Sequence, residues 1–307
     1  MLHFVGQSCN FTAMSEKKEV AKELKALVRL LDEPDEGLYS AIRNQVLALG
    51  MAALPFLEET ENQMPSPHVL RRIEEIIHTI RVNDTYENLK SWSATRSHNL
   101  LEAWIRVSIF LSPDDDYEKL EKSVDKLYRD IWVEMNPELT ALEKIRVVNH
   151  VFYSVYQYDG LQGKKAVMPP YLLGNVLRMQ RGNPLSLALL YLIIVQRLGM
   201  PVFGVNLPRH LILAYTNGTA LPRPAASYKE EDVLFYVNPF NKGAVFRKSE
   251  IELYLKQLRI TPQAKFFLPC DNKTVIKRLL QELATLSGYS HSSARAEAMN
   301  YFLKAVE

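Results

Sequence analysis

Three residue types used in acyl transfer occur in order along the second half of the chain: Ser186, His210 and Asn238. Ser186 lies near the start of a predicted helix, while His210 opens one β-rich run and Asn238 ends another. In acyl transfer a hydroxyl attacks the substrate, an imidazole takes its proton, and an amide or carboxylate orients the imidazole. These residues therefore define a first candidate site, that of a hydrolase or acyltransferase with a serine nucleophile.

Cysteines, histidines and acidic residues suggest little further chemistry. Cys9 and Cys270 lie too far apart in sequence for a disulfide framework or a cysteine zinc site. Cys270 is best explained as a small turn residue before a C-terminal helix, and the acidic run at 112–116 as a solvated turn before another helix. The remaining histidines lack the spacing of metal ligands. We expect no metal, no cofactor and a reducing compartment.

A helix over about residues 184–198 is predicted to hold the first of these residues. Asn183 is a typical N-cap, Pro184 suits the first helical position, and Gly199 follows the last turn. The run from Leu187 to Val195 is apolar without a break. A helix with no polar face must be surrounded by protein, so this one is predicted to be central.

Short strands are predicted at 201–206, 210–215 and 233–238. The connections between them are too short for parallel crossovers, which favours an antiparallel sheet. We predict an α+β fold that is mostly helical. In this fold the central helix packs on a small antiparallel sheet, and helical segments flank this core on both sides in sequence.

The core residues occur as RGNPLSL (181–187), LY (190–191), LGMP (198–201), GVNLP (204–208), His210, and NPF (238–240) with Gly243. Together they resemble the SirB-type transglutaminase-like family of bacterial proteins over about residues 165–245. The resemblance implies a degenerate transglutaminase-like or papain-like core. In such cores a cysteine at the helix N-terminus is favoured as thiolate by the helix dipole, and strands supply a histidine and an Asp or Asn.

The chain departs from that family pattern at the nucleophile. By the resemblance, the nucleophile position falls at or beside Pro184, and no cysteine lies between Cys9 and Cys270. Arg209 stands where the pattern usually has glycine, and Asn238 where it often has aspartate. An Asn can still orient an imidazole, so the missing thiol is the departure that removes catalysis.

Ser186 is the one alternative nucleophile near this position. It lies two residues past Pro184, so it points about 200° around the helix from it, at about 100° per residue. A serine near a helix start more often bonds a free backbone group there. A catalytic set of Ser186, His210 and Asn238 is therefore kept as the alternative.

Positive groups collect at the same helix N-terminus. The free N–H groups of the helix carry a partial positive charge, and Arg209 and His210 lie on the strand expected to face it. We predict that this end of the helix binds an anion, a carboxylate or phosphate, through Arg181, Asn183, Arg209 and His210, with Asn238 orienting His210. Alternatively, the two arginines pair with internal carboxylates and hold the loops together.

Composition excludes several classes of protein. The 307 residues are 47% hydrophobic, and 37 Lys+Arg against 35 Asp+Glu leave a net charge of +2. A chain with so small a net charge does not generate the positive electrostatic field that attracts nucleic acid or an anionic membrane. No stretch approaches the roughly 18 apolar residues that a membrane span needs, and the first residues lack signal-peptide features. We expect a cytoplasmic protein.

Helical spacing and turn residues divide the chain into segments. Residues 1–14 are predicted to be an N-terminal extension, and residues 15–85 a helical segment in which 27–59 resembles a HEAT repeat. We predict a transglutaminase-like domain over 86–262, with a helical lead-in at 86–160 and the core at 161–250. A helical hairpin follows at 263–307.

Two function classes remain open. The favoured class is a non-catalytic protein, a pseudo-enzyme with a regulatory or scaffolding role that binds a protein, a peptide or an anionic ligand. The alternative is a hydrolase or acyltransferase that uses Ser186. Partner identity, pathway and oligomeric state are left open by the sequence.

Overall fold

The computed structural model describes residues 24–63, 66–161, 169–220, 224–289 and 293–307. It divides the chain into two compact units, one ending at Thr85 and the other running from Tyr86 to Glu307. The predicted extension at 1–14 lies outside the described residues. None of the helices in the described ranges is long and apolar enough to cross a bilayer.

The first unit consists of amphipathic helices. Residues 24–29 are helical, and the helices that follow are α1 (Glu36–Ala48), α2 (Leu54–Asn62) and α3 (Pro67–Ser91), of which residues 67–85 belong to this unit. Arg72 of α3 is buried and donates hydrogen bonds to the carbonyl oxygens of Leu31 and Glu33, at 2.9 and 2.7 Å. This charge-assisted contact fastens α3 to the turn before α1. The resemblance to a HEAT repeat stays a prediction.

The second unit is mostly helical as well. Its helices are α4 (Leu100–Leu111), α5 (Tyr117–Glu134), α6 (Ala141–Asn149), α7 (Leu173–Met179), α8 (Pro184–Arg197), α9 (Lys248–Gln257), α10 (Asn272–Tyr289) and α11 (Ser293–Ala305). Helices α10 and α11 pack on each other inside this unit, where the sequence predicts a C-terminal hairpin.

The unit holds a two-stranded and a four-stranded sheet. In the first, β1 (Asp159–Gly160) and β2 (Arg181–Gly182) pair in parallel. The second has the order β3 (Val202–Leu207), β4 (His210–Thr216), β5 (Val233–Asn238), β6 (Ala244–Phe246), all neighbours being antiparallel. The predicted α+β fold with a central helix on a small antiparallel sheet is confirmed, while the parallel pair and β6 were not predicted.

The two faces of the larger sheet are covered by different helices. One face forms a buried cluster with α9 that includes Val205, Leu207 and Ile212. Helix α8 contacts β3 and β4 and covers the other face. Every residue from Leu187 to Val195 is at most 2% exposed, so α8 is enclosed as its unbroken apolar run predicts.

Candidate functional site

The topology brings the predicted site residues to one end of the core. Residues 198–201 connect the C-terminus of α8 directly to the start of β3. The N-terminus of α8 therefore lies over the opposite end of the sheet, where the β3–β4 hairpin turns and β5 ends. A contact between α8 and the 3₁₀ turn Pro239–Asn241, which follows β5, agrees with this placement.

The N-terminus of α8 is closed by its own capping box. The Oδ1 atom of Asn183 accepts a hydrogen bond from Ser186 N at 2.8 Å, and Leu187 N donates to Asn183 O at 3.1 Å. Because Pro184 has no N–H, only the N–H of Leu185 is left in this turn, and that residue is 2% exposed. This leaves little of the donor set that the predicted anion site needs.

Ser186 is part of this cap. Its hydroxyl accepts a hydrogen bond from Asn183 N at 3.0 Å and lies 3.3 Å from Asn183 O, to which it donates. The residue is fully buried. The hydroxyl is thus engaged with backbone groups and closed off from a substrate, as its position near the helix start predicts.

His210 lies on the opposite face of the sheet from α8. It pairs with Leu207 across the hairpin, and directly opposed residues share a face, here the one that α9 covers. Its ring packs edge-on against the ring of Tyr254 of α9, with centroids 5.5 Å apart. Burial and, after it, the positive charge of Arg278 lower the pKa of His210 from its usual value of 6.5. The hairpin register thus places the ring of His210 beside α9.

Asn238 is occupied by its own turn. Its Oδ1 atom accepts hydrogen bonds from the N–H groups of Phe240 and Asn241, at 3.1 and 3.3 Å, and so caps the 3₁₀ turn after β5. The expected role of orienting His210 does not appear in these hydrogen bonds. Sequence spacing alone does not distinguish a capping Asn from one that orients an imidazole.

The two predicted arginines have different surroundings. Arg181 donates from Nη1 to the carbonyl oxygens of Gln157 and Gln180, at 2.8 and 3.1 Å, and ties together the loops around β1 and β2. Arg209 is exposed and forms, with Pro208, the two-residue turn between β3 and β4. Neither arginine forms an ion pair with a carboxylate among the described residues.

A cavity of about 420 Å³ lies beside this turn, and we call it the hairpin cavity. Its lining residues are Tyr171, Asn206, Arg209, Arg278, Gln281, Glu282, Thr285 and Leu286. Of these, sequence reasoning singled out Arg209 alone. Arg278 and Glu282 lie in an amphipathic helix about 70 residues further along the chain, and their only signal is a charged pair spaced one helical turn apart.

Arg278 of α10 holds the hairpin from this cavity. Its Nη1 atom donates to Asn206 Oδ1 and Leu207 O, both at 2.6 Å, and to His210 O at 2.9 Å. Its Nε atom donates to Glu282 at 3.0 Å. The side chain thus joins α10 to both strands of the hairpin through charge-assisted hydrogen bonds.

Cys270 is a turn residue against the edge of the sheet. Its N–H donates to Gly204 O at 2.7 Å, and burial raises the pKa of its thiol to about 12. A thiol protonated at neutral pH is a poor nucleophile. Among the described residues, no group of three or more His, Cys, Asp or Glu side chains is placed to hold a metal ion.

Residues 118–281 match the sequence profile of the transglutaminase-like superfamily. The chain is 27% identical over 171 residues to protein SirB1 of Salmonella typhimurium, a match that covers 54% of this chain and 57% of that protein. It is 28% identical over 139 residues to F-box only protein 21 of Mus musculus, covering 45% of this chain and 21% of that protein. The match therefore spans just over half of SirB1 and a fifth of the mouse protein. No solved structure matches the chain.

Proposed function

Because this chain belongs to the transglutaminase-like superfamily, we propose that it retains the transglutaminase-like core without catalysis, as a regulatory or scaffolding protein that binds a protein or peptide partner. One observation carries the proposal. At the N-terminus of α8, no cysteine stands at or beside Pro184, where the resemblance places the nucleophile, and the nearby hydroxyl of Ser186 is engaged by the helix cap.

The remaining parts of a catalytic relay support the same conclusion. A nucleophile must lie within hydrogen-bonding reach of its base, and the base is usually oriented by a third group. His210 packs against α9 on the other face of the sheet, and Asn238 caps its own turn. The high pKa of the Cys270 thiol also makes this residue unsuited to attack.

The relatives share the core but differ in how much other sequence accompanies it. The matched segment makes up 57% of SirB1 from Salmonella typhimurium but only 21% of F-box only protein 21 from Mus musculus. Because site chemistry rather than fold decides activity, the shared core alone assigns no reaction to this chain.

We also propose a cytoplasmic location. Cys270 is a free thiol in the structure, and the whole chain has two cysteines. Secreted domains more often use their cysteines in disulfides, whereas reducing compartments keep thiols free. Oxidation of the purified protein in air, followed by thiol titration, would show whether these thiols remain available.

The catalytic side of the proposal is tested with the purified full chain, dimethylcasein, dansylcadaverine and a mixed peptide library. We expect neither amine incorporation nor peptide cleavage. Turnover that iodoacetamide abolishes would point to Cys270. Turnover that survives iodoacetamide and disappears in Ser186→Ala and His210→Ala would establish the serine enzyme instead.

A thiol placed at the expected position gives a sharper test. Pro184→Cys restores the family's nucleophile, and mass spectrometry after iodoacetamide labelling would show whether the new thiol is reached by solvent. We expect the variant to stay inactive, because the ring of His210 lies on the other face of the sheet. Transamidation by Pro184→Cys would show that only the thiol was missing and would refute the arrangement described above.

A further inference from the structure

We propose that the hairpin cavity is the partner-binding site of this core and that it takes a carboxylate of a peptide, either an acidic side chain or a chain terminus. This inference rests on the proposed function, since it names where and by what chemistry the partner binds. It also moves the predicted anion site from the N-terminus of α8, whose donors are used in the cap, to the opening beside Arg209.

Arg278 provides a rigid donor inside this cavity. The residue is 8% exposed, and its Nε and Nη1 atoms are held by Glu282 and by the hairpin. Its Nη2 atom has no acceptor among the described residues. A guanidinium already fixed by other bonds loses little side-chain entropy when it binds an oxyanion, and this favours binding.

Arg209 places a second guanidinium at the rim. Its φ of 65° lies in the left-handed region, and it follows Pro208 in a two-residue turn. When proline is the first central residue of such a turn, the second central residue needs a positive φ, which glycine adopts without strain. This chain has an exposed arginine there instead. Residues with strained backbones are concentrated at binding sites, where the function of the side chain offsets the strain.

The charges of the cavity select the class of anion. Two guanidinium groups, of Arg209 and Arg278, face a single carboxylate, that of Glu282. The cavity therefore carries one net positive charge, which a monoanionic carboxylate balances and a phosphate dianion exceeds. Burial, and after it the nearby Glu282, raise the pKa of Tyr171, whose hydroxyl is hydrogen-bonded to the carboxylate of Glu282.

The size of the cavity fits a side chain with its flanking backbone. Its volume of about 420 Å³ lies within the range of roughly 300–1,000 Å³ that is usual for ligand pockets. Gln281 and Thr285 are exposed on α10 along the same opening and supply neutral donors and acceptors for peptide groups. We therefore expect a peptide to bind with its carboxylate toward Arg278.

The probes are N-acetyl-glutamic acid α-amide, whose side-chain carboxylate is its only charge, the neutral N-acetyl-glutamine α-amide and inorganic phosphate, titrated into the full chain and followed by ligand-detected NMR. The test variant is Arg209→Gly. Its matched control is Arg259→Gly, because Arg259 is also exposed and also has a left-handed φ, of 57°, but lies outside the hairpin cavity. Relief of backbone strain should keep both variants folded, which thermal unfolding checks.

We expect the glutamic acid amide to bind the native chain and Arg259→Gly equally, and Arg209→Gly about tenfold more weakly, the usual effect of losing a charge-assisted hydrogen bond. The glutamine amide should bind none of them. Equal binding of the glutamic acid amide by all three proteins, or no binding by any, would overturn the inference. Tighter binding of phosphate would assign the cavity to a phosphate ligand and overturn it as well.

The proposed function is tested separately, by an activity assay on the same protein preparations. Amine incorporation measures catalysis and does not depend on Arg209. If the carboxylate probe fails to bind while no turnover is found, only the assignment of the cavity is lost. Turnover in any preparation would refute the proposed function, whatever the probe does.

Discussion

Gly243 offers the sharpest test of the packing at the end of the core. Its φ is 68°, and a Cβ atom added to it would overlap Oδ1 of Asn149. Asn149 in turn donates to Gly243 O at 3.0 Å and accepts from the hydroxyl of Tyr191 at 2.8 Å. Gly243→Ala must therefore push Asn149 away from both partners.

The cost has two parts. A non-glycine residue in the left-handed region costs about 1–2 kcal/mol. Displacing Asn149 loses one hydrogen bond, about 1 kcal/mol, and leaves the hydroxyl of Tyr191 without its acceptor inside the protein, about 1–3 kcal/mol. Tyr191 is fully buried, so water does not replace that acceptor. We expect Gly243→Ala to lower the free energy of unfolding by about 3–6 kcal/mol.

Gly199→Ala is the matched control. Gly199 has the same φ of 68°, and an added Cβ would meet no atom within 4 Å. The backbone cost is therefore shared, and the difference of about 2–4 kcal/mol between the two variants measures the contacts of Asn149 alone. Urea unfolding followed by circular dichroism gives both values.

Two results would refute this reasoning. If the two variants unfold within about 0.5 kcal/mol of each other, the contact between Gly243 and Asn149 is absent in solution. In an Asn149→Ala background the obstacle is gone, so Gly243→Ala should then cost no more than Gly199→Ala. An undiminished cost in that background would show that the damage lies elsewhere.

Three further variants test other parts of the structure. Asn183→Ala removes the cap of α8 and should cost about 1 kcal/mol in urea unfolding, whereas an unchanged midpoint would mean that the capping box does not stabilise the helix. Arg209→Gly and Arg259→Gly should each raise stability by about 0.5–1 kcal/mol, since relief of left-handed strain exceeds the added freedom of the unfolded chain; lower melting temperatures would contradict this. The lowered pKa of His210 means that the unfolded chain binds the proton more tightly, so stability is full above about pH 6.5 and falls as the pH drops through the folded pKa. His210→Gln should therefore lose less melting temperature than the native chain between about pH 7.5 and 5, and parallel curves would show that His210 does not contribute.

Local sequence patterns were sufficient to predict the central helix and the main strands of the core. The cap at Asn183, Pro184 at the first helical position and the unbroken apolar run from Leu187 to Val195 predict a buried helix close to the observed α8. The two-residue connection between β3 and β4 predicts their antiparallel pairing, whereas the sixteen residues between β4 and β5 are long enough to allow either direction. Such features depend on neighbours within a few residues, which the sequence displays directly. Strands β1 and β2 are too short for a periodicity to reveal them.

The site depended on contacts between distant parts of the chain. Residue types alone suggested that Ser186, His210 and Asn238 form one site. In the structure each of them contacts a different group. The reason for His210 is register: side chains alternate across a strand, so the pairing of Leu207 with His210 across a two-residue turn decides which face the ring occupies.

The amino-acid sequence by itself determined that a thiol is missing, that a buried helix packs on an antiparallel sheet, and that an arginine stands in the turn before His210. Only the tertiary structure decided what surrounds that arginine. Arg278 reaches the hairpin from a helix 68 residues further along the chain than His210. No local pattern encodes such a contact, because it forms only once α10 has packed beside the sheet and brought the buried guanidinium to the carbonyl oxygens of the hairpin.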